Sequence, residues 1–157
     1  MNKNPLLKGL DIGRKADPFV IYIFGVTGDL TRKKLMPGLF SLFLKERIRN
    51  FKIVGFARRP WSDVFFRKKA EEMIADFSGV DDKVKNNFLR KLSYIQSSFE
   101  SDEGYEELDK HAEGIKNRLY YLATPPNSYR DIIKQLGRFG LSSEKEGFSR
   151  IVVEKPF

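Results

Sequence analysis

Residues 19–43 read FVIYIFGVTGDLTRKKLMPGLFSLF and carry the most informative pattern in the chain. The β-branched and aromatic residues at 19–24 are apolar on both faces, which is typical of a strand buried in a parallel sheet. A turn containing Gly25 and Gly28 follows directly, and apolar residues then recur at helical spacing. A strand that turns over glycines into a helix directs backbone N–H groups and the positive end of the helix dipole at one point. The pattern therefore predicts a nucleotide site at the carboxyl end of this strand.

Length, composition and charge are those of a single-domain protein with an anionic partner. The 157 residues are enough for a substantial core, and 41% of them are hydrophobic. No apolar run is long enough to span a bilayer, and residues 1–18 lack the apolar core of a signal peptide, so we expect a cytoplasmic protein with no membrane partner. The lack of cysteine excludes disulfides and cysteine-ligated metals, and we assign no metal site. The net charge of +8 favours either nucleic acid or a multiply phosphorylated small molecule as partner.

Strands and helices alternate along the chain, with no internal repeat. The predicted strands are 19–24, 51–57, 92–99, 118–124 and 150–154. The predicted helices are 35–43, 62–77, 81–91, 102–113 and 129–139, where Pro37 requires the first helix to begin near it or to bend. This order predicts an α/β fold, a doubly wound, mostly parallel, Rossmann-like sheet in one domain at 19–157, after a polar lead-in at 1–18. In such a fold the loops after the strands share one ligand-binding edge.

The first turn departs from the common phosphate-binding motifs. The G-x-G-x-x-G fingerprint would require glycines at 25, 27 and 30, where the chain has Gly25, Thr27 and Leu30, and no P-loop spacing is present. What fits a phosphate is Gly25 for the tight turn, Gly28 for close approach of the backbone, and the hydroxyl of Thr27. A plain strand–turn–helix without a ligand remains an alternative for this segment alone.

The end of the second strand indicates which dinucleotide would bind. NAD sites usually hold the adenosine ribose with a carboxylate at this position, whereas an arginine accommodates a 2′-phosphate. The chain has Arg58 and Arg59 here and no carboxylate until Asp63. Because the guanidinium group can pair bidentately with phosphate, NADP is the predicted cofactor. A solvated basic turn is the alternative. Trp61, close to the expected adenine position, would pack on the adenine ring or simply on the protein surface.

Four segments together resemble the amino-terminal cofactor domain of the glucose-6-phosphate dehydrogenase family. They are GVTGDLTRKKLMPGLF, IVGFARR, RLYYLATPPNSY and RIVVEKPF, in that order, and the similarity covers about residues 19–157. The resemblance implies that NADP is bound and that the turn holds its diphosphate. The matching turn residues are Gly25, Thr27, Gly28, Asp29, Leu30 and Arg32. It further implies that Arg58 contacts the 2′-phosphate, that Tyr129 lies beside the cofactor, that Lys155 contacts both cofactor and sugar phosphate, and that Pro156 is cis.

The resemblance also implies what the chain lacks. The family's hydride-transfer base is a histidine in a second, α+β domain that should follow the E-K-P motif, so we assign no catalytic residue and expect the chain alone to be inactive. His111, the single histidine, falls in a charged helix and is expected to be a solvated side chain. The full-length family implies a sugar phosphate substrate and a homo-oligomer. The alternatives are the cofactor domain of another NAD(P)-dependent sugar oxidoreductase, and a basic nucleic-acid-binding domain, which only the net charge supports.

Overall fold

The computed structural model describes residues 14–155, and within them the strands form a single five-stranded sheet. The strands are β1 Phe19–Phe24, β2 Phe51–Ala57, β3 Leu92–Gln96, β4 Arg118–Leu122 and β5 Ser149–Val153. Their order is β3-β2-β1-β4-β5, and every neighbouring pair is parallel. The chain therefore builds the sheet outward from β1 in one direction and then, from β4, in the other. This confirms the predicted doubly wound fold and puts its switch point beside β1.

The predicted helices are all present, some shorter than expected. They are α1 Met36–Leu44, α2 Asp63–Met73, α3 Asp82–Leu89, α4 Asp102–His111 and α5 Tyr129–Arg138. The prediction that α2 extends to about Phe77 is wrong, because the chain after Met73 forms turns. Phe77 still reaches the core, since its ring packs edge-on against Phe40 with the centroids 5.0 Å apart. Phe77 thus occupies a position with helical spacing in the sequence but reaches the core from the segment after α2.

Pro37 explains an irregularity at the start of α1. A π-helical turn, Thr31–Leu35, precedes α1, and the N–H of Met36 donates to the carbonyl of Thr31. Proline has no N–H, and its ring clashes with the carbonyl four residues earlier in a regular α-helix. A wider turn before the proline avoids this clash, and regular α-helix begins at Met36. The prediction of a start or a bend near Pro37 is confirmed.

Helices cover both faces of the sheet, and each face has its own core. The core on the side of α1, α2 and α3 includes Met36, Phe40, Phe66 and Phe88. The core on the side of α4 and α5 includes Phe24, Phe56, Tyr105, Tyr120 and Leu136. The buried tyrosines keep a hydrogen-bond acceptor, as in the Tyr120 hydroxyl, which donates to the carbonyl of Leu141 at 2.8 Å. None of the described helices has the length and apolar character needed to cross a bilayer.

The outer edge of β3 is covered by two side chains of α2. The Nε of Arg67 donates to the carbonyl of Leu92 at 2.9 Å, and the backbone N–H of Tyr94 donates to Oδ1 of Asp63 at 2.7 Å. Unpaired N–H and C=O groups on an edge strand promote association with other chains. These two contacts pair one carbonyl and one N–H group of the exposed edge and fix α2 against β3.

Candidate nucleotide-binding site

The turn after β1 requires glycine at its first position. Gly25 has a φ of +77°, and a Cβ atom there would lie 2.6 Å from the carbonyl oxygen of Ala123, which follows β4. The N–H of Gly25 donates to the carbonyl of Phe56 at 2.8 Å, and its own carbonyl accepts from the N–H of Gly28 at 3.1 Å. The turn is thus fixed between β2 and β4, the two strands that flank β1.

Gly28 is in a different situation, because its outer side is open. A Cβ atom there would meet only the carbonyl oxygen of Gly25 within 4 Å, at 3.3 Å. Gly28 is exposed and lines a cleft, together with the half-buried Thr27. A ligand can therefore approach the backbone at Gly28 more closely than it could approach any residue with a side chain.

Asp29, Leu30 and Arg32 form the start of the helix that follows. The carboxylate of Asp29 lies 2.9 Å from Nη2 of Arg32 and 3.6 Å from Nζ of Lys33. All three charged groups are exposed, so these pairs contribute little to stability. Their effect on the site is that cations offset the charge of Asp29 at the point where a phosphate would bind. Leu30 is half-buried.

The arginine turn, residues 58–59, is held in place through its backbone. The hydroxyl of Tyr94 on β3 donates to the carbonyls of Arg59, at 2.8 Å, and Ala57, at 3.2 Å. The N–H of Trp61 also donates to the carbonyl of Arg59 at 2.8 Å. Burial raises the pKa of Tyr94 to about 12, which keeps its hydroxyl protonated as a donor. The side chains of Arg58 and Arg59 are exposed, so the turn presents two guanidinium groups on a fixed backbone.

Two adjoining clefts lie at this edge of the sheet. The first, of about 330 Å³, is lined by Gly25, Thr27, Gly28, Ala57, Arg58, Arg59, Phe99, Ala123, Thr124 and Pro125. The second, of about 480 Å³, is lined by Thr27, Asp29, Arg32, Arg59, Trp61, Lys69, Glu72 and Met73. Thr27 and Arg59 line both. Each volume lies within the range of about 300–1,000 Å³ that is usual for small-molecule sites.

The structure adds residues that sequence reasoning missed as site residues. Arg59 lines both clefts, whereas Arg58 lines only the first. Trp61 is half-buried and packs edge-on against Phe65, with a centroid separation of 5.4 Å, while it also lines the second cleft. The alternatives of adenine stacking and protein packing are therefore not exclusive. For Tyr94 the sequence held no signal, because only the fold brings β3 beside the arginine turn.

The first cleft also contains a hydroxyl group that suits a polar ligand. Oγ1 of Thr124 is buried and has no hydrogen-bond partner among residues 14–155. Leaving a buried polar group unpaired costs about 1–3 kcal/mol, which a ligand's polar atom would recover. Together with the open side of Gly28 and the cations of the arginine turn, Thr124 suits the polar groups of a dinucleotide. No group of three or more potential ligands in the described part of the chain is arranged to hold a metal ion.

Tyr129 and Lys155 lie at the same edge but not in these clefts. Lys155 follows β5, and the neighbouring Glu154 accepts hydrogen bonds from Tyr121, at 3.1 Å to Oε1, and Tyr129, at 3.5 Å to the carbonyl. Three strand spacings, about 14 Å, separate β5 from β2, which carries Arg58. Lys155 therefore lies toward the other end of this edge from Arg58. The predicted cis-Pro156 lies outside the described residues.

The expectation that His111 is solvated is wrong. Its ring is half-buried, and Nδ1 lies 2.7 Å from the hydroxyl oxygen of Ser93. His111 ends α4 and Ser93 is near the start of β3, so this contact is at the amino ends of the strands. The glycine turn is at their carboxyl ends. Even as a half-buried histidine, His111 is thus at the wrong end of the sheet to act on a ligand bound there.

Comparisons with known proteins agree with this geometry. Residues 22–157 match the family model described as "Glucose-6-phosphate dehydrogenase, NAD binding domain". The glucose-6-phosphate 1-dehydrogenase of Chlamydia muridarum is 39% identical over 155 residues, covering 89% of this chain and 31% of that protein. That of Borreliella burgdorferi is 40% identical over 144 residues, covering 92% and 30%.

A solved structure is similar over the same region. It is a glucose-6-phosphate dehydrogenase in complex with its substrate glucose-6-phosphate, with a TM-score of 0.81 and 35% identity, covering 92% of this chain and 32% of that one. The chain thus spans about a third of the length of the relatives it matches. From the family match over residues 22–157 and the shared fold, the chain belongs to the glucose-6-phosphate dehydrogenase family, as its NAD-binding domain.

Proposed function

We propose that this chain binds NADP, in preference to NAD, at the carboxyl edge of its sheet. The observation that carries the proposal is the pair of exposed guanidinium groups, Arg58 and Arg59, beside the glycine turn. The nearest following carboxylate, Asp63, accepts the N–H of Tyr94 at 2.7 Å and is therefore engaged away from any ribose. Arginines without a competing carboxylate favour a ribose that carries a 2′-phosphate.

The remaining site residues take roles along the dinucleotide. Gly25, Gly28 and Thr27, with the backbone of Asp29 and Leu30 and the side chain of Arg32, would hold the diphosphate. Tyr129 and Lys155, at the end of β5, would lie by the nicotinamide, and Lys155 would also contact a sugar phosphate. When bound, NADP supplies the acceptor for a hydride. Residues 19–157 would form the cofactor domain, with 1–18 as a polar lead-in.

The relatives support a proposal for the whole protein of which this domain would be part. That protein would oxidise glucose 6-phosphate to 6-phosphogluconolactone in the pentose phosphate pathway, as a cytoplasmic homo-oligomer with no nucleic-acid or membrane partner. The chain alone would bind the cofactor without turnover. This part of the proposal is supported by the position of His111, its single histidine, at the amino ends of the strands.

The single tryptophan provides the test. Trp61 lines the second cleft, so its fluorescence should change when a dinucleotide binds. In titrations of the purified chain, we expect NADP⁺ to bind about tenfold or more tighter than NAD⁺, because a hydrogen bond to a charged group contributes about 1.5–3 kcal/mol. Arg58→Ala and Arg59→Ala should each weaken NADP⁺ binding by at least that factor and leave NAD⁺ binding nearly unchanged.

Lys134→Ala removes an exposed cation from α5 and is the matched control. Equal affinities for the two dinucleotides would refute the preference for NADP. Equal losses for both dinucleotides in the arginine variants would remove Arg58 and Arg59 from their assigned roles. Tight binding of a short DNA duplex, with no response to NADP⁺, would favour the nucleic-acid alternative over the whole proposal.

A further inference from the structure

A strongly basic pocket, separate from the two clefts, lies at the amino ends of the strands. It is lined by Lys52, Asp63, Arg67, Arg90, Lys91, Leu92, Ser93, Lys110, His111 and Glu113. Lys52 is near the start of β2, Lys91 directly precedes β3, and Glu113 lies between α4 and β4. Parallel strands all begin at the same edge, so the pocket is at the opposite edge of the sheet from the glycine turn. It plays no part in the dinucleotide site.

Cations outnumber anions in this pocket. Five lysine and arginine side chains face two carboxylates, a net charge of +3 with the histidine neutral. The carboxylate of Glu113 is taken by Lys52, with Nζ and Oε2 2.8 Å apart, and that of Asp63 accepts the backbone N–H of Tyr94. Among the described residues, no carboxylate lies within ion-pair distance of the three cations Arg67, Arg90 and Lys91.

Several of these groups are fixed in position. Nε of Arg67 donates to the carbonyl of Leu92 at 2.9 Å, and this bond does not use the terminal nitrogens of its guanidinium group. Nζ of Lys91 lies 4.9 Å from the centroid of the Phe51 ring. The ring of His111 is held by the hydroxyl of Ser93. Donors that are already positioned lose little conformational entropy when they bind a ligand.

Lys91 is affected both by burial and by neighbouring positive charge. Burial, together with the nearby ammonium of Lys52, lowers the pKa of Lys91. A divalent anion between these groups would replace repulsion by attraction and would accept charge-assisted hydrogen bonds from them. The pocket volume is about 180 Å³, below the range of about 300–1,000 Å³ for whole small-molecule ligands. It therefore suits a single anionic group.

We propose that this basic pocket is a binding site for a phosphate-class oxyanion, either free or as the phosphoryl group of a small molecule. Arg67, Arg90 and Lys91 would bind the oxyanion directly. Lys110 is held at 2.7 Å by Glu107 and would contribute only to the local potential. The proposal is independent of the dinucleotide site, because the basic pocket shares no lining residue with either cleft.

The single histidine reports on the pocket. The ring proton signals of His111 are unique in the NMR spectrum of this chain, since it has only one histidine. Sodium sulfate, the free oxyanion, and glycerol phosphate, a phosphomonoester, are titrated at constant pH against sodium chloride of matched ionic strength. We expect both oxyanions to shift the His111 signals with saturation, while chloride does not. Saturation by sulfate alone would assign the site to free oxyanions, and saturation by glycerol phosphate alone to phosphoryl groups.

Variants connect the signal to the assigned donors. Arg90→Gln removes an exposed cation and should weaken sulfate binding about tenfold, the equivalent of one charge-assisted hydrogen bond. Lys91→Gln should do the same, and Lys91→Arg should restore binding. Lys134→Gln on α5 is the matched control and should change nothing. If Lys91→Gln perturbs folding through the lost contact with Phe51, thermal unfolding will reveal it. The effect of Arg90→Gln on sulfate binding then tests the proposal.

Two results would overturn the proposal. One is a His111 shift that rises linearly with sulfate and equals that of chloride, which is ordinary screening. The other is an affinity for sulfate that Arg90→Gln leaves unchanged in a folded protein.

Discussion

Gly25 and Gly28 lie three residues apart in one turn, and the structure predicts opposite consequences when each is replaced by alanine. At Gly25 the backbone has a φ of +77°, and a new Cβ atom would lie 2.6 Å from a backbone carbonyl oxygen, that of Ala123. At Gly28 the backbone is outside the left-handed region, and the closest atom to a new Cβ would be 3.3 Å away. Gly25→Ala should therefore damage the fold, and Gly28→Ala should damage ligand binding.

The magnitudes follow from these two positions. A left-handed conformation costs an alanine about 1–2 kcal/mol. Displacing the backbone at Ala123 adds about 1–3 kcal/mol, as for other overpacked sites. The reduced entropy of the unfolded chain returns about 0.4–1 kcal/mol. Gly25→Ala should thus lower the free energy of unfolding by about 1–5 kcal/mol, or the melting temperature by about 2–20 °C. For Gly28→Ala only a single tight contact opposes the entropic gain, so the change should be below about 1 kcal/mol.

Urea denaturation followed by circular dichroism measures both stabilities, and the fluorescence of Trp61 measures binding of NADP⁺. Gly28→Ala should melt like the parent chain and bind NADP⁺ about tenfold or more weakly, since its methyl group would occupy the space of the diphosphate. A Gly25→Ala protein with unchanged stability would refute the reasoning about the turn. A Gly28→Ala protein with unchanged NADP⁺ affinity would show that the phosphates bind elsewhere.

Three further substitutions test contacts that support the site, each measured by urea denaturation. Asp63→Ala leaves the N–H of Tyr94 unpaired and should lower the free energy of unfolding by about 1–3 kcal/mol, whereas Asp63→Asn keeps an acceptor and should lose less; equal losses would contradict the assigned contact. Tyr94→Phe removes both hydrogen bonds from its hydroxyl and should cost about 1–2 kcal/mol and weaken NADP⁺ binding; unchanged binding would exclude a positioning role. Gly104→Ala would put a Cβ atom 2.5 Å from Ser97 and 2.6 Å from Phe56, and should cost about 1–3 kcal/mol; a loss below about 0.5 kcal/mol would show that α4 can move away from the sheet.

The elements that the sequence predicted well are those whose pattern is local. The run at 19–24 is buried along its whole length, as its two apolar faces indicated. The start of α1 followed from the chemistry of Pro37 alone. The convergence of the loops after β1, β2 and β4 followed from the strand–helix alternation, which leaves few topologies for a parallel sheet.

The features that the sequence did not predict depend on contacts between distant elements. His111 was misassigned because the charges of α4 describe its exposed face, while the contact to Ser93 arises only when β3 lies beside that helix. Arg59 was left out of the site because the sequence cannot distinguish two adjacent arginines in a turn. Only the structure shows which of them lines which cleft. Lys155 lies at the same edge as Arg58 but lines neither cleft. The distance between the two residues is set by the order of the strands in the sheet, and a sequence motif does not reveal that order.

Tyr94 links the edge of the sheet to the arginine turn. Its N–H is held by Asp63 at the start of α2, and its hydroxyl holds the carbonyl of Arg59, so one residue joins α2, β3 and the turn. The backbone position of the arginine turn therefore depends on β3, a strand that lines neither cleft. It follows that the choice between NADP and NAD should respond to changes at Asp63 or Tyr94 that leave both arginines in place. On the proposed function, the arginines at the end of β2 would discriminate between the dinucleotides only while the neighbouring strand fixes their backbone.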